Sequence, residues 1–113
     1  MKNYFNFFMV IVAVVLIVGS VSFAETTVIE DILKGDQTIS ADTQLLSIIQ
    51  GNVIVAPGVT FQVDGIVTGN LTLQEGSVLI LNGIIEGNVY NYSGNNFEVF
   101  EVNGIVKGET FNY

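Results

Sequence analysis

The chain has 113 residues, room for one domain, and a formal charge of −8 from eleven acidic residues against three lysines, with no Arg, His or Cys. Nothing on such a surface neutralises phosphates, which argues against nucleic acid and anionic lipid as partners. The missing Cys excludes disulfide stapling. Without His, Cys or Arg the usual general base, thiol nucleophile and anion clamp are also gone, so an enzyme is not expected.

Residues 1–24 read as a secretory signal peptide. Lys2 supplies a positive start, Phe7 to Val18 is an apolar run of 12 residues, and Ser22-Phe23-Ala24 places small residues at −3 and −1 for cleavage before Glu25. The run is shorter than the roughly 20 residues of a membrane span. Cleavage is therefore expected rather than a retained anchor, with no stable membrane span afterwards. The chain from Glu25 carries all eleven acids against Lys34 and Lys107, a formal charge of −9. An acidic coat keeps a β-rich protein soluble and also attracts cations or a basic protein. The expected location is the periplasm or extracellular space of a bacterial envelope.

Residues 25–46 read as a degenerate N-terminal capping coil. Gly35-Asp36-Gln37-Thr38-Ile39 echoes Gly51-Asn52-Val53-Ile54-Val55 at an offset of 16. Thr26 to Lys34 fits less well, and its acidic first turn suits a short helix or an irregular cap. Regular coils follow at 47–64, 65–82 and 83–103, with a partial coil at 104–113. Gly51, Gly69 and Gly87 fall 18 apart, as do Gly58, Gly76 and Gly94. The third coil carries three extra residues between Gly94 and Gly104, and the fourth stops mid-coil at Tyr113 with no obvious cap. A short period with Gly at fixed phase and apolar alternation between marks a β-solenoid. The expected fold is all-β: a small single-domain parallel β-helix with about 18 residues per coil and three short sides.

Alternate strand residues share a face, so equivalent apolar positions define the core columns. These are Val53, Leu71, Val89; Val55, Leu73; Phe61, Leu79; Val63, Leu81; and Ile49, Val67, Ile85, Val106. Corners use Gly for positive φ and Asn for local hydrogen bonding. Asn52, Asn70 and Asn88 should form an amide ladder, and Asp64, Asn82 and Asn103 a second corner column.

Two surface features exceed what repetition needs. Ile48, Ile66, Ile84 and Ile105 each precede a core aliphatic, so they should face outward as an apolar stripe of the kind that marks a contact surface; the alternative is a corner that shields them. Tyr90 and Tyr92, with Phe111 and Tyr113 at the same phase one coil later, should form an aromatic patch that caps the open end or binds a partner. Glu86 and Lys107 share another outward column. Catalytic, cofactor-binding and metal-ligating sets are not found. The corner column mixes one acid with two amides, and nothing in the spacing of Glu75, Glu86, Glu98 and Glu101 singles out a pair for glycoside hydrolysis. The glycine-rich nonapeptide of calcium-binding β-rolls is absent.

The run Val63-Asp64-Gly65-Ile66-Val67-Thr68-Gly69-Asn70-Leu71 resembles the repeat of bactofilin-like, polymer-forming proteins, and the resemblance covers residues 47–113. It implies a compact right-handed parallel β-helix and end-to-end assembly, and it brings no catalytic residues. Bactofilins are cytoplasmic and have more coils than this chain. The expected function is that of an exported, acidic, non-catalytic β-solenoid acting as a structural or self-assembling envelope protein, associating end to end or laterally. The alternative is a periplasmic or secreted binding or immunity protein that engages a basic protein partner.

Overall fold

A computed structural model describes residues 11–14, 26–95 and 104–113. Every regular element among them is a strand, and the strands fall into three five-stranded sheets. The first sheet holds β1 (Ile11–Val14), β2 (Thr26–Ile29), β5 (Thr43–Leu45), β8 (Thr60–Val63) and β11 (Val78–Leu81). The second holds β3 (Leu33–Lys34), β6 (Ile48–Gln50), β9 (Ile66–Val67), β12 (Ile84–Ile85) and β14 (Ile105–Val106). The third holds β4 (Gln37–Ile39), β7 (Val53–Val55), β10 (Leu71–Leu73), β13 (Val89–Asn91) and β15 (Thr110–Asn112). The chain visits the sheets in rotation and pairs each strand in parallel with its counterpart one coil on, which makes a three-sided β-solenoid.

The pairing offsets follow the repeat. They are 18 within the regular coils (Leu71 on Val53), 16 for the first coil (Gln37 under Val53) and 21 across the longer third coil (Val89 under Thr110). The first coil is short because three residues, 40–42, make the turn that later takes five. β1 is the exception to parallel pairing, lying antiparallel along the free edge of β2. It falls inside the segment read as a signal. The buried hydrophobic residues among those described run from Val28 to Val89, so a chain beginning at Glu25 retains the parallel stack and its core. No helix of the described residues is long and apolar enough to cross a membrane.

The period-two alternation decides the core. Val53, Val55, Phe61, Val63, Leu71, Leu73, Leu79, Leu81, Ile85 and Val89 are fully buried, as are Ile49 and Val67, and Val106 is half-buried against them. Each coil covers the inward face of the next, so the core grows with coil number instead of with the volume of a sphere. The acidic stretch before Lys34 forms β2 and β3 in place of a short helix. Pairing of Thr27–Ile29 with Thr43–Leu45, and of Leu33 with Ile49, overrides the local helix-start signal.

The corner glycines divide by cause. Gly58, Gly76 and Gly94 have φ between 75° and 87° and make the turn from the third sheet to the first. Positive φ was expected at the other corners too, but there only Gly35 has it, at 99°, and for the glycines of the later coils the reason is close approach. A Cβ on Gly65 or Gly83 would run into the carbonyl of Ser47 or Gly65 one coil below, and a Cβ on Gly69 or Gly87 into that of Gly51 or Gly69. The Asn ladder is present in a specific form: the Asn70 N–H donates to Asn52 Oδ1 and the Asn88 N–H to Asn70 Oδ1, both at 2.8 Å. Asp36 starts this ladder by accepting the Asn52 N–H, and Asn88 accepts the Glu109 N–H, each at 2.9 Å.

The C-terminal coil has a cap that the repeat did not advertise. The inward column Val55, Leu73 continues as Asn91 and Asn112. Asn91 is 1% exposed and donates to Asn112 Oδ1 and to the Asn95 carbonyl, both at 2.7 Å, while accepting the Ser93 N–H at 3.0 Å. This column of the core therefore ends in amides that satisfy one another instead of in open hydrocarbon.

Truncating one buried rung tests this arrangement. Leu71→Ala should cost about 2–5 kcal/mol in urea unfolding, whereas Thr72→Ala, one residue on and facing outward, should stay within about 0.5 kcal/mol of wild type.

Candidate interaction surface

The stripe begins with the corner between the first and second sheets. Ser47, Gly65 and Gly83 occupy equivalent places there, and their small side chains leave a groove of about 620 Å³ running along the stack. One wall is Ile48, Ile66, Ile84 and Ile105, which pair with one another in register through four successive coils. The other wall is Leu46, Asp64 and Asn82, and Ile32 stands at the N-terminal end. Ile48, Ile66 and Ile84 are half-buried by their neighbours in the column, whereas Ile105, Ile32 and Leu46 are 54%, 53% and 48% exposed. The column thus faces outward, as adjacent strand residues must when Ile49, Val67 and Ile85 face in.

Asp64 is the charged group on the polar wall. Gln44 Nε2 donates to its Oδ2 at 2.6 Å, Gln62 Nε2 to the same oxygen at 3.0 Å, and Asn82 Nδ2 to Oδ1 at 2.8 Å. Partial burial alone would push its carboxyl up, but the three amide donors together outweigh that and hold it below the usual aspartate value. The acid is thereby fixed in place and its oxygens are occupied by the protein's own donors. Asn103, expected to continue this column, lies outside the described residues, as do Glu98 and Glu101.

The aromatic patch lies on the outer face of the third sheet, away from the groove. Tyr90 stacks on Phe111 with centroids 5.4 Å apart and planes 9° from parallel, and Tyr92 stacks on Tyr113 at 4.4 Å and 5°. Asn88 Nδ2 donates to the Tyr90 hydroxyl at 3.1 Å. Tyr113 is 66% exposed, with Tyr92 and Phe111 also open to solvent. Stacking is imposed by the parallel register, which places Tyr90 beside Phe111. The eight candidate contact residues therefore form two separate surfaces, an aliphatic groove on the second sheet and an aromatic plate on the third.

Other residues extend these surfaces. Leu46 and Ile32 widen the groove, and Ile54 is an exposed aliphatic in the outward column that leads to Tyr90. The doublet Leu45-Leu46 carried the same signal as Ile48-Ile49, but it sits where the coil turns. Ile32 belongs to the degenerate coil, where phase is hard to assign. Glu75 lies in the turn between the third and first sheets and Glu86 at the corner between the second and third, so these two carboxylates are at different corners. Among the described residues no three His, Cys, Asp or Glu side chains cluster as metal ligands. No family model, curated protein or solved structure matches the chain.

Asp64 gives a pH prediction of definite sign. Its folded value is depressed, so its contribution to stability is complete above the unfolded aspartate range and is lost as pH falls through the lowered folded value. Asp64→Asn should lower the melting temperature at pH 7 and flatten its decline between about pH 5 and pH 2. Thermal melts of both chains across that range check it, and parallel curves would remove Asp64 as the source.

Proposed function

We propose that this chain is an exported, non-catalytic β-solenoid that works as a structural, self-associating protein of the bacterial envelope, with the aliphatic groove as its contact surface. The observation that carries the reading is the in-register column Ile48, Ile66, Ile84 and Ile105, facing outward through four coils. Core packing does not require it, because the inward positions beside it already hold Ile49, Val67, Ile85 and Val106. Continuous exposed aliphatic surface of this kind marks a protein contact. The stripe itself is uncharged. The next outward column on the same side reads Lys34, Gln50, Thr68, Glu86 and Lys107, one acid against the two basic residues past position 24. That lowers the repulsion a second copy would meet on a molecule otherwise acidic. The resemblance to polymer-forming bactofilin-like repeats supports a structural role. Export rests on the character of residues 1–24, and the lack of a catalytic role on the missing His, Cys and Arg.

A second reading follows from the charge of −9: a binding or immunity protein that holds a basic protein partner. Salt separates the two. Association through aliphatic surface survives or strengthens as salt rises, while association through charge weakens once the screening length falls below about 10 Å.

Light scattering on the chain from Glu25, over a wide concentration range, should show mass rising above that of one chain. Ile66→Ser with Ile84→Ser should return it to a monomer without changing its circular dichroism. A wild-type chain that stays monomeric at every concentration would sink the self-association reading.

A further inference from the structure

The parallel ladders end at both ends of the stack in the same charged corner. Between the second and third sheets, successive coils read Lys34-Gly35-Asp36, Gln50-Gly51-Asn52, Thr68-Gly69-Asn70, Glu86-Gly87-Asn88 and Lys107-Gly108-Glu109. The three interior corners carry a neutral amide at the last position, whose Oδ1 accepts the N–H of its counterpart one coil on. Only the first and last described coils carry Lys at one side of the glycine and a carboxylate at the other.

Among the described residues β3 and β4 edge the stack on one side and β14 and β15 on the other, and edge strands of this kind can pair with another copy. Continuing the register would place β14 of one copy beside β3 of the next and β15 beside β4. Lys107 would then lie about 4.8 Å from Lys34 along the ladder, and Glu109 at the same spacing from Asp36. Like charges directly opposite on neighbouring strands are destabilising. Within the chain, Lys107 and Glu109 instead lie on Glu86 and Asn88, an acid and an amide. The core agrees with the corner. End-to-end stacking would set the inward Asn112, already engaged by Asn91, against Ile39.

We infer that the first and last described coils resist pairing with those of a second copy through matched charge, so that self-association runs side by side. The inference takes the self-association proposed above and fixes its direction, against the end-to-end growth that the bactofilin-like resemblance implies. Charged residues on exposed edges are a general means of preventing such pairing. In the full chain β1 adds a further obstruction on the free edge of β2.

The test uses the chain from Glu25, which removes the obstruction of β1. At low salt, negative-stain microscopy of wild type should show no fibres. Lys107→Glu with Glu109→Lys, made together with Glu86→Gln so that no like charges meet within the chain, sets opposite charges against Lys34 and Asp36. This variant should form axial fibres with a repeat of about 4.8 Å along their length, at a concentration lower than wild type by on the order of tenfold or more. Wild-type fibres at low salt would overturn the inference, and so would a charge-reversed chain that melts like wild type yet does not lengthen. Adding Ile84→Ser to the charge-reversed chain separates this inference from the groove. Fibres that persist show axial growth independent of the stripe and leave the end closure standing even if the groove reading fails. Fibres that vanish show growth through the stripe and overturn it.

Discussion

Each coil is hydrogen-bonded to the next in parallel register, and this constraint places every residue on its own counterpart. A residue in one coil meets its counterpart about 4.8 Å away, and along the core columns of the regular coils that counterpart is of the same kind. Aliphatics then form dry columns, glycines allow backbones to touch, and amides accept the next coil's N–H. The constraint also multiplies surface choices. One outward isoleucine per coil is unremarkable on a soluble protein, but four in register make the continuous wall of a groove.

The same constraint makes charge difficult to place. A carboxylate repeated in every coil would stack on itself, and the corner positions that do repeat hold Asn52, Asn70 and Asn88 instead. Where an acid enters a column inside the stack, at Asp64, its neighbours are amides: Asn82 above it, with Gln44 and Gln62 beside it. The other described carboxylates are spread over turns, corners and the end coils. Their charge thus lies outside the dry columns of the stack.

Most of the fold is legible in the sequence because the repeat is both short and strict. Phase alone assigns Val53 through Val89 to the core and Ile48, Ile66, Ile84 and Ile105 to the outside. The errors arise where phase is lost or where one residue type serves two physical ends. Thr26–Lys34 carries a helix-start composition, and only pairing with β5 and β6 makes it strand. Glycine signals a tight corner without saying whether φ or steric approach requires it. Gly76 answers the first way and Gly83 the second. The amide cap was visible as Tyr90-Asn91-Tyr92 repeated in Phe111-Asn112-Tyr113. Recognising it meant comparing Asn91 with Leu73 across coils, where the change from hydrocarbon to amide marks the end of the core.

Departures from the repeat therefore carry more functional information than the repeat does. An interior residue that matches its column is explained by stacking, and its identity says little about partners. The exposed aliphatics, the paired rings and the charged end corners are not required by stacking in that way. The rings cover one another, stacked in pairs by the parallel register on the outer face of the third sheet. The groove wall has no such local duty, since its isoleucines lie over a corner already closed by Ser47, Gly65 and Gly83. Of the two apolar surfaces the groove is thus the one that stacking within the chain does not explain. It runs along the length of the stack, with its isoleucines paired in register through four coils.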